Sequence, residues 1–394
     1  PKPDEGGTAT MSVLLAGSGT HPWEDYDKRL EASKNPLALG SDLFGDAVNL
    51  QDGALSFTVT DVSLPGNNAL PVAMTRSYRV FNRRDHGDLG VMGDWTFDLP
   101  HVSATTANEW LSSTSGGNRC TDINGVQPPP AGFDSNDYFQ GIQLEIPGAG
   151  GGELLVRHAT TPKPTDGKTY PWMTEGQIHV SCLSSIGNRT GEGFLAVTPD
   201  GKKVWFAWMA QYALPYMESV SFTQTGGRVS NQLVPKKTAL YATRVEDVAG
   251  NWVEYTYTNA WNQPVALSSI TSSDGRTLTA GYASGRLATI SDGTRTWQYQ
   301  YGTTPGGRKT LTAVVLPDAS RWTIGFAALT DAEIDTTRAN EMQPGEIYRN
   351  CWMNEIPHNV SATPAGTLTH PSGATGSFTM ALKEHGLSNV PISC

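Results

Sequence analysis

The sequence predicts an all-β protein built from many short antiparallel strands and hairpins. Three observations carry this reading. Gly (42) and Pro (25) punctuate the 394 residues, and Thr, Val, Tyr and Trp, which suit a pleated and half-buried surface, fill the intervals between them. Many of these intervals alternate apolar and polar residues, the period that sends one set of side chains to each face of a strand. The charged fraction is only 17%, against roughly 25% in average soluble proteins, so Ser, Thr, Asn and Gln supply the polarity.

Taken in order, residues 1–40 read as an N-terminal arm with one short helix. The arm is rich in Gly, Ser and Thr to residue 20. Over 21–34 Trp23, Tyr26 and Leu30 recur at helical spacing, with charges on the other side. Residues 41–239 form a β-rich region. Strand-like runs at 54–62 and 70–78 flank the breaker Pro65-Gly66-Asn67-Asn68, and Leu89-Gly90 and Gly93-Asp94-Trp95 follow. Trp95 is expected to be buried. An irregular insertion covers 105–175, marked by Gly116-Gly117-Asn118, Gln127-Pro128-Pro129-Pro130 and the tract Gly148 to Gly152. Runs 138–146 and 153–158 are expected to pair across that tract. Strands follow at 176–182, 194–197 and 203–208, the last two joined by Asp200-Gly201. Residues 209–222 are ambiguous, because Pro215 argues against one continuous helix.

Residues 240–329 carry a degenerate repeat. Turns fall at Ala249-Gly250-Asn251, Asp274-Gly275, Ser284-Gly285-Arg286, Asp292-Gly293 and Pro317-Asp318. Beside them lie alternating aromatic runs: Tyr255 and Tyr257, Tyr282, Trp297 and Tyr299, and Trp322. Asp-Gly is expected to supply type I′ turns. Stacked hairpins of this kind bury one another's apolar faces. Residues 330–394 read as a C-terminal loop, acidic over 331–346, and the start of further repeats at 368–380.

The opening pattern over 41–101 resembles that of RHS-repeat (YD-repeat) proteins. The repeat segment is similar to the YD consensus at Asp247-x-x-Gly250-Asn251-x-x-x-Tyr255-x-Tyr257, at Gly275-Arg276 with Tyr282, and at Gly285-Arg286-Leu287-x-x-Ile290-x-Asp292, followed by Gly293. The resemblance covers about residues 40–100 and 195–326. It implies a spiralling sheet or barrel around a hollow interior. It also implies a non-enzymatic role in a secreted or cell-surface bacterial protein, with a downstream polypeptide or toxin cargo as partner. The chain opens on Pro1 and stops at Cys394, before the repeats a complete shell would need, so a processed or partial product is expected. Some members cleave themselves at Asp-Pro-x-Gly motifs. This sequence has no Asp-Pro dipeptide, so that reaction does not carry over.

Net charge is −10, and no clustered basic surface is visible, which argues against nucleic acid as a partner. No run reaches the ~20 apolar residues of a membrane span. There is no Gly-x-Ser-x-Gly elbow, His-Glu-x-x-His pair or phosphate loop, and no cofactor or metal is implied. His86, His101, His179 and His370 read as surface or hydrogen-bonded structural histidines. Asp134, Asp137 and Tyr138 are candidates for a sugar or ion contact, since acid beside aromatics suits a sugar, with solvated loop charge favoured. Two rival functions follow: an adhesin or carbohydrate-binding protein using the Trp and Tyr rings on glycans, and a glycan hydrolase using Asp134 or Asp137. Asn188 and Asn359 open glycosylation sequons that carry little weight in the bacterial protein the resemblance implies. The four cysteines allow three pairings. Cys120–Cys182 with Cys351–Cys394 is favoured because each pair lies within one segment, and free buried thiols are the alternative.

Overall fold

The structure, a computed structural model, describes residues 43–48, 55–80, 90–107, 110, 118–122, 130–133, 135–214, 217–222, 228–332 and 364–380. The chain divides into two units between Leu43 and Phe44, and the elements below belong to the second. The helix expected over 21–34 lies outside the described residues, as do Cys351 and Cys394.

The fold is all-β, in large antiparallel sheets. The first comprises β1 (Asp46–Val48), β2 (Leu55–Leu64), β3 (Val72–Arg79) and β4 (Thr96–Phe97), paired in sequence order. In β2 the alternation of buried and exposed residues runs through Asp61 and breaks at Val62, where a bulge shifts the register against β3. Asp61 lies on the inner face with Leu55, Phe57 and Val59, so a carboxylate enters the core, and the bulge turns Val62 inward beside it.

Next come β5 (His101–Thr106), β6 (Gln143–Ile146), β7 (Gly150–Glu153), β8 (Leu155–Val156), β9 (Trp172–Met173), β10 (His179–Leu183), β11 (Gly193–Val197) and β12 (Lys203–Ala213). The insertion expected to be irregular therefore contains paired strands. Its glycine tract is itself strand β7, paired with β6. Of the run expected to pair across the tract, Glu153 does lie opposite Gln143, while Leu155 and Val156 form β8, which pairs with β9. Leu154 joins the two, its N–H donating to Ile142 O at 2.8 Å. A disulfide joins Cys120 to Cys182 with a Cα separation of 5.5 Å. Beside it the Trp172 indole N–H donates to Cys120 O at 2.8 Å, and the Glu192 carboxylate accepts from the Cys120 and Thr121 N–H groups.

A hairpin of β13 (Met217–Phe222) and β14 (Arg228–Leu233) leads to β15 (Lys236–Glu246). This long strand is the junction of the molecule. One side pairs with β12 along its length, and the other is divided between β5 at its start and β16 (Trp252–Tyr257) at its end. The boundary drawn at 239/240 falls within it. The repeat sheet continues through β17 (Leu267–Ser272), β18 (Thr277–Ala283), β19 (Arg286–Ser291), β20 (Thr296–Thr303), β21 (Lys309–Val315) and β22 (Arg321–Gly325). A single helical turn, α1 (Ala327–Thr330), precedes β23 (Ala365–Thr369) and β24 (Thr375–Thr379).

Aromatic residues on alternate positions of the repeat sheet point inward: Tyr255, Tyr257, Trp297, Tyr299 and Trp322 are all buried, and Tyr282 is half-buried. The first sheet packs on them. Phe57 meets Phe326 and Phe378 with ring centroids 4.7 and 4.6 Å away, and Trp95, fully buried, stacks on Phe326. Burying a large side chain contributes roughly 1.5–3 kcal/mol, so this seam is the main energetic link between the sheets. Polar pins cross it too. The buried Asp94 carboxylate accepts from Thr310 Oγ1 at 2.7 Å, Leu311 N–H at 2.8 Å and Thr330 Oγ1 at 2.6 Å.

The hairpin turns differ from the expected type. In Ser272 to Arg276 the Gly275 N–H donates to Ser272 O and the Ser272 N–H donates to Arg276 O. Only Gly275 has positive φ, at +86°. This is a type I turn closed by a glycine bulge, and the same pattern recurs at Thr198 to Lys202, Asp247 to Asn251 and Thr304 to Arg308. A type I′ turn would force the β-carbon of Asp into the left-handed region. With the bulge, the Asp before the glycine keeps a negative φ, as Asp274 does; in the turn from Asp247 to Asn251 it is the first residue's carboxylate that caps, Asp247 Oδ1 accepting from Ala249 and Asn251 N–H. Ser284-Gly285 is the two-residue turn with both φ values positive, at +50° and +74°.

Candidate functional site

The junction of β5, β6 and β15 builds a cleft of about 450 Å³. Register fixes which side chains share its face. His101 on β5 lies opposite Glu145 on β6 and Tyr241 on β15, which in turn lies opposite Trp208 on β12. Two positions along, Ser103 lies opposite Gln143 and Ala239, and Ala239 opposite Ala210. Two further on, Thr105 lies opposite Lys237, and Lys237 opposite Tyr212. Directly opposed residues share one face of the sheet. A floor of small side chains therefore separates two rows of large ones. The other face, with Val102, Leu144, Leu240 and Met209, is core. The wall beyond β6 is the glycine tract, whose bare backbone leaves the cleft open.

The charged groups here are perturbed by enclosure. Burial pushes the His101 imidazole down, and the Lys237 ammonium adds to this, while Glu145 and the Leu99 carbonyl oppose it. Burial also pushes Lys237 down, helped by Arg79 and opposed by Glu145. It pushes the Tyr212 and Tyr241 hydroxyls up. Asp98, just before β5, is raised to about 6 by burial and by Glu145. Of these groups His101 and Lys237 line the cleft itself, and shifted groups in a cleft mark functional sites more often than chance.

His101 Nδ1 donates to Leu99 O at 2.9 Å, so the neutral ring keeps its lone pair on Nε2. That nitrogen faces Glu145 Oε2 at 3.6 Å and makes no hydrogen bond to Ser103. Ser103 thus lacks the base a nucleophilic serine needs. What the cleft offers is binding: one cation, two acceptors, and hydroxyl and amide groups. Among the described residues no cluster of three or more His, Cys, Asp or Glu could hold a metal ion.

Asp134 lies outside the described residues. Asp137 is exposed at the end of a 3₁₀ turn, Ser135–Asp137. Tyr138 is 4% exposed, packed with Ala107 and Leu233, so its ring offers no open face to a sugar. Asn188 is engaged in the fold: its amide donates to Met209 O at 2.8 Å and accepts from Met209 N–H at 2.9 Å. His179 and His370 bond to Pro162 O and Ser372 Oγ, whereas His101 lines the cleft. The sequence signal for the cleft was the polar alternate set His101, Ser103 and Thr105. It could not be read as a site without the register that brings Lys237 and Glu145 beside it.

No protein-family model and no curated protein matches the chain. No helix among the described residues is long and apolar enough to cross a membrane.

Proposed function

We propose that this chain is a non-enzymatic structural segment of a secreted bacterial RHS/YD-repeat protein, a β-sheet wall that encloses or delivers a downstream toxin polypeptide. One observation carries the reading. Trp95 and five of the six repeat aromatics are buried, so they serve to hold a wall together rather than present platforms to a partner. Rings aligned in an open groove would favour the adhesin instead. The Cys120–Cys182 disulfide fits an oxidising compartment. Against a hydrolase, His101 makes no hydrogen bond to Ser103, and Tyr138, next to Asp137 in sequence, is buried.

The test is protection from protease. The polypeptide encoded after this chain, produced with it in one precursor, is expected to resist trypsin under native conditions. Digestion at the same rate with and without this chain overturns the proposal.

A further inference from the structure

Lys237 stands out in the cleft. Its neighbours across the ladders are Tyr212 and Thr105, and no described carboxylate comes within ion-pair distance of its Nζ. Enclosed ammonium groups are costly unless paired, and this one lines an open cavity together with His101, Ser103, Gln143 and Glu145. At the other end, two acceptors face each other. His101 Nε2, unprotonated in the neutral ring, stands 3.6 Å from Glu145 Oε2. That pair can accept from a donor placed between or beside it.

We propose that the cleft binds a carboxylate that also carries hydroxyl or ammonium donors, with Lys237 as the counter-cation and His101 and Glu145 as acceptors. Charge selects this class. A neutral polyol leaves Lys237 unpaired. A dianion such as phosphate meets one cation among the lining residues and is repelled by Glu145. A monocarboxylate with donors satisfies both ends. The glycines at 150–152 give it room, since they carry no side chain over the cleft. The groups around Lys237 that bear on its charge are Arg79, His101 and Glu145, with Tyr212 and Tyr241 beside them. At neutral pH both tyrosines stay uncharged, so they do not compete for the ammonium.

The site is independent of the wall reading, and either can fail alone. The test is titration of the folded chain with glucuronate and with glutamate, followed by calorimetry and by the imidazole NMR signals of His101. Glucose and inorganic phosphate are the comparisons. At least one donor-bearing carboxylate is expected to bind saturably and to shift the His101 signals. Lys237→Gln is expected to weaken it about tenfold or more, the loss of one charge-assisted contact. Lys237→Arg is expected to retain part of the affinity. Thermal melts establish that each variant is folded. The proposal is overturned if neither carboxylate saturates, if glucose or phosphate binds equally well, or if a folded Lys237→Gln protein binds unchanged.

Discussion

At the scale of single residues, the most consequential contact is the buried pair of Asp61 and Arg76. Arg76 Nε donates to both carboxylate oxygens at 3.1 and 3.0 Å, and the Tyr299 hydroxyl donates to Oδ2 at 3.0 Å. Both side chains are wholly buried. Arg76 Nη1 and Nη2 have no hydrogen-bond acceptor. They lie instead over the Trp95 and Trp322 rings, 4.2 and 5.7 Å from guanidinium carbon to centroid, where ring faces attract the cation. Even so, burial outweighs Arg76 and raises the Asp61 carboxyl above its usual range. Removing one partner leaves an uncompensated buried charge. Asp61→Asn is therefore expected to cost about 3–5 kcal/mol, and the double change Asp61→Leu with Arg76→Met clearly less. Urea denaturation of the three variants checks the order. Asp98 offers a pH test. Its folded carboxyl titrates near 6 against 3.8 in the unfolded chain, so the folded state holds the extra proton between those values. Its contribution falls as pH rises through that window. Relative to wild type, Asp98→Asn is expected to gain about 1–2 kcal/mol at pH 7, allowing for solvent screening, and nothing at pH 3. Denaturation at several pH values reads the difference.

At the scale of elements, turn positions were legible and turn types were not. Gly250, Gly275 and Gly285 each close a hairpin where the sequence placed one. Whether Asp-Gly forms a two-residue turn or a bulged one depends on which residues pair last, and sequence alone does not show that. The bulged geometry has a consequence at Ala319, which occupies the glycine position of the turn Leu316 to Ser320 with φ at +67°. A β-carbon there is strained by about 1–2 kcal/mol, partly offset by the greater chain entropy glycine loses. Ala319→Gly is thus expected to stabilise by about 0.5 kcal/mol, and Gly275→Ala to destabilise by about 1 kcal/mol. Opposite shifts in the denaturation midpoint are the signature. Equal signs would contradict the turn assignment. The Asp61 bulge was illegible for a related reason: alternation places Asp61 on the inner face with Leu55, Phe57 and Val59, but nothing local shows that one extra residue then turns Val62 to the same face.

At the scale of the whole molecule, strand content followed from alternation, but pairing between distant strands did not. β15 takes β5 as a neighbour across more than a hundred residues, and that step creates both the cleft and the junction of the sheets. Nothing in the local pattern at 101–106 or 236–246 names the other as partner. The disulfide is a second long-range tie, closing residues 62 apart in sequence. By chain entropy a loop of that length contributes about 4 kcal/mol. The Cys120→Ser, Cys182→Ser double variant is expected to lose about that much in guanidinium denaturation.

The central claim, a wall built to accompany another polypeptide, is tested most directly by intact mass spectrometry on protein isolated from its native source, run native and then denatured. The expected result is a second polypeptide, encoded downstream, that travels with this chain and leaves only on denaturation. A folded monomer running alone at 42.3 kDa would contradict the carrier role.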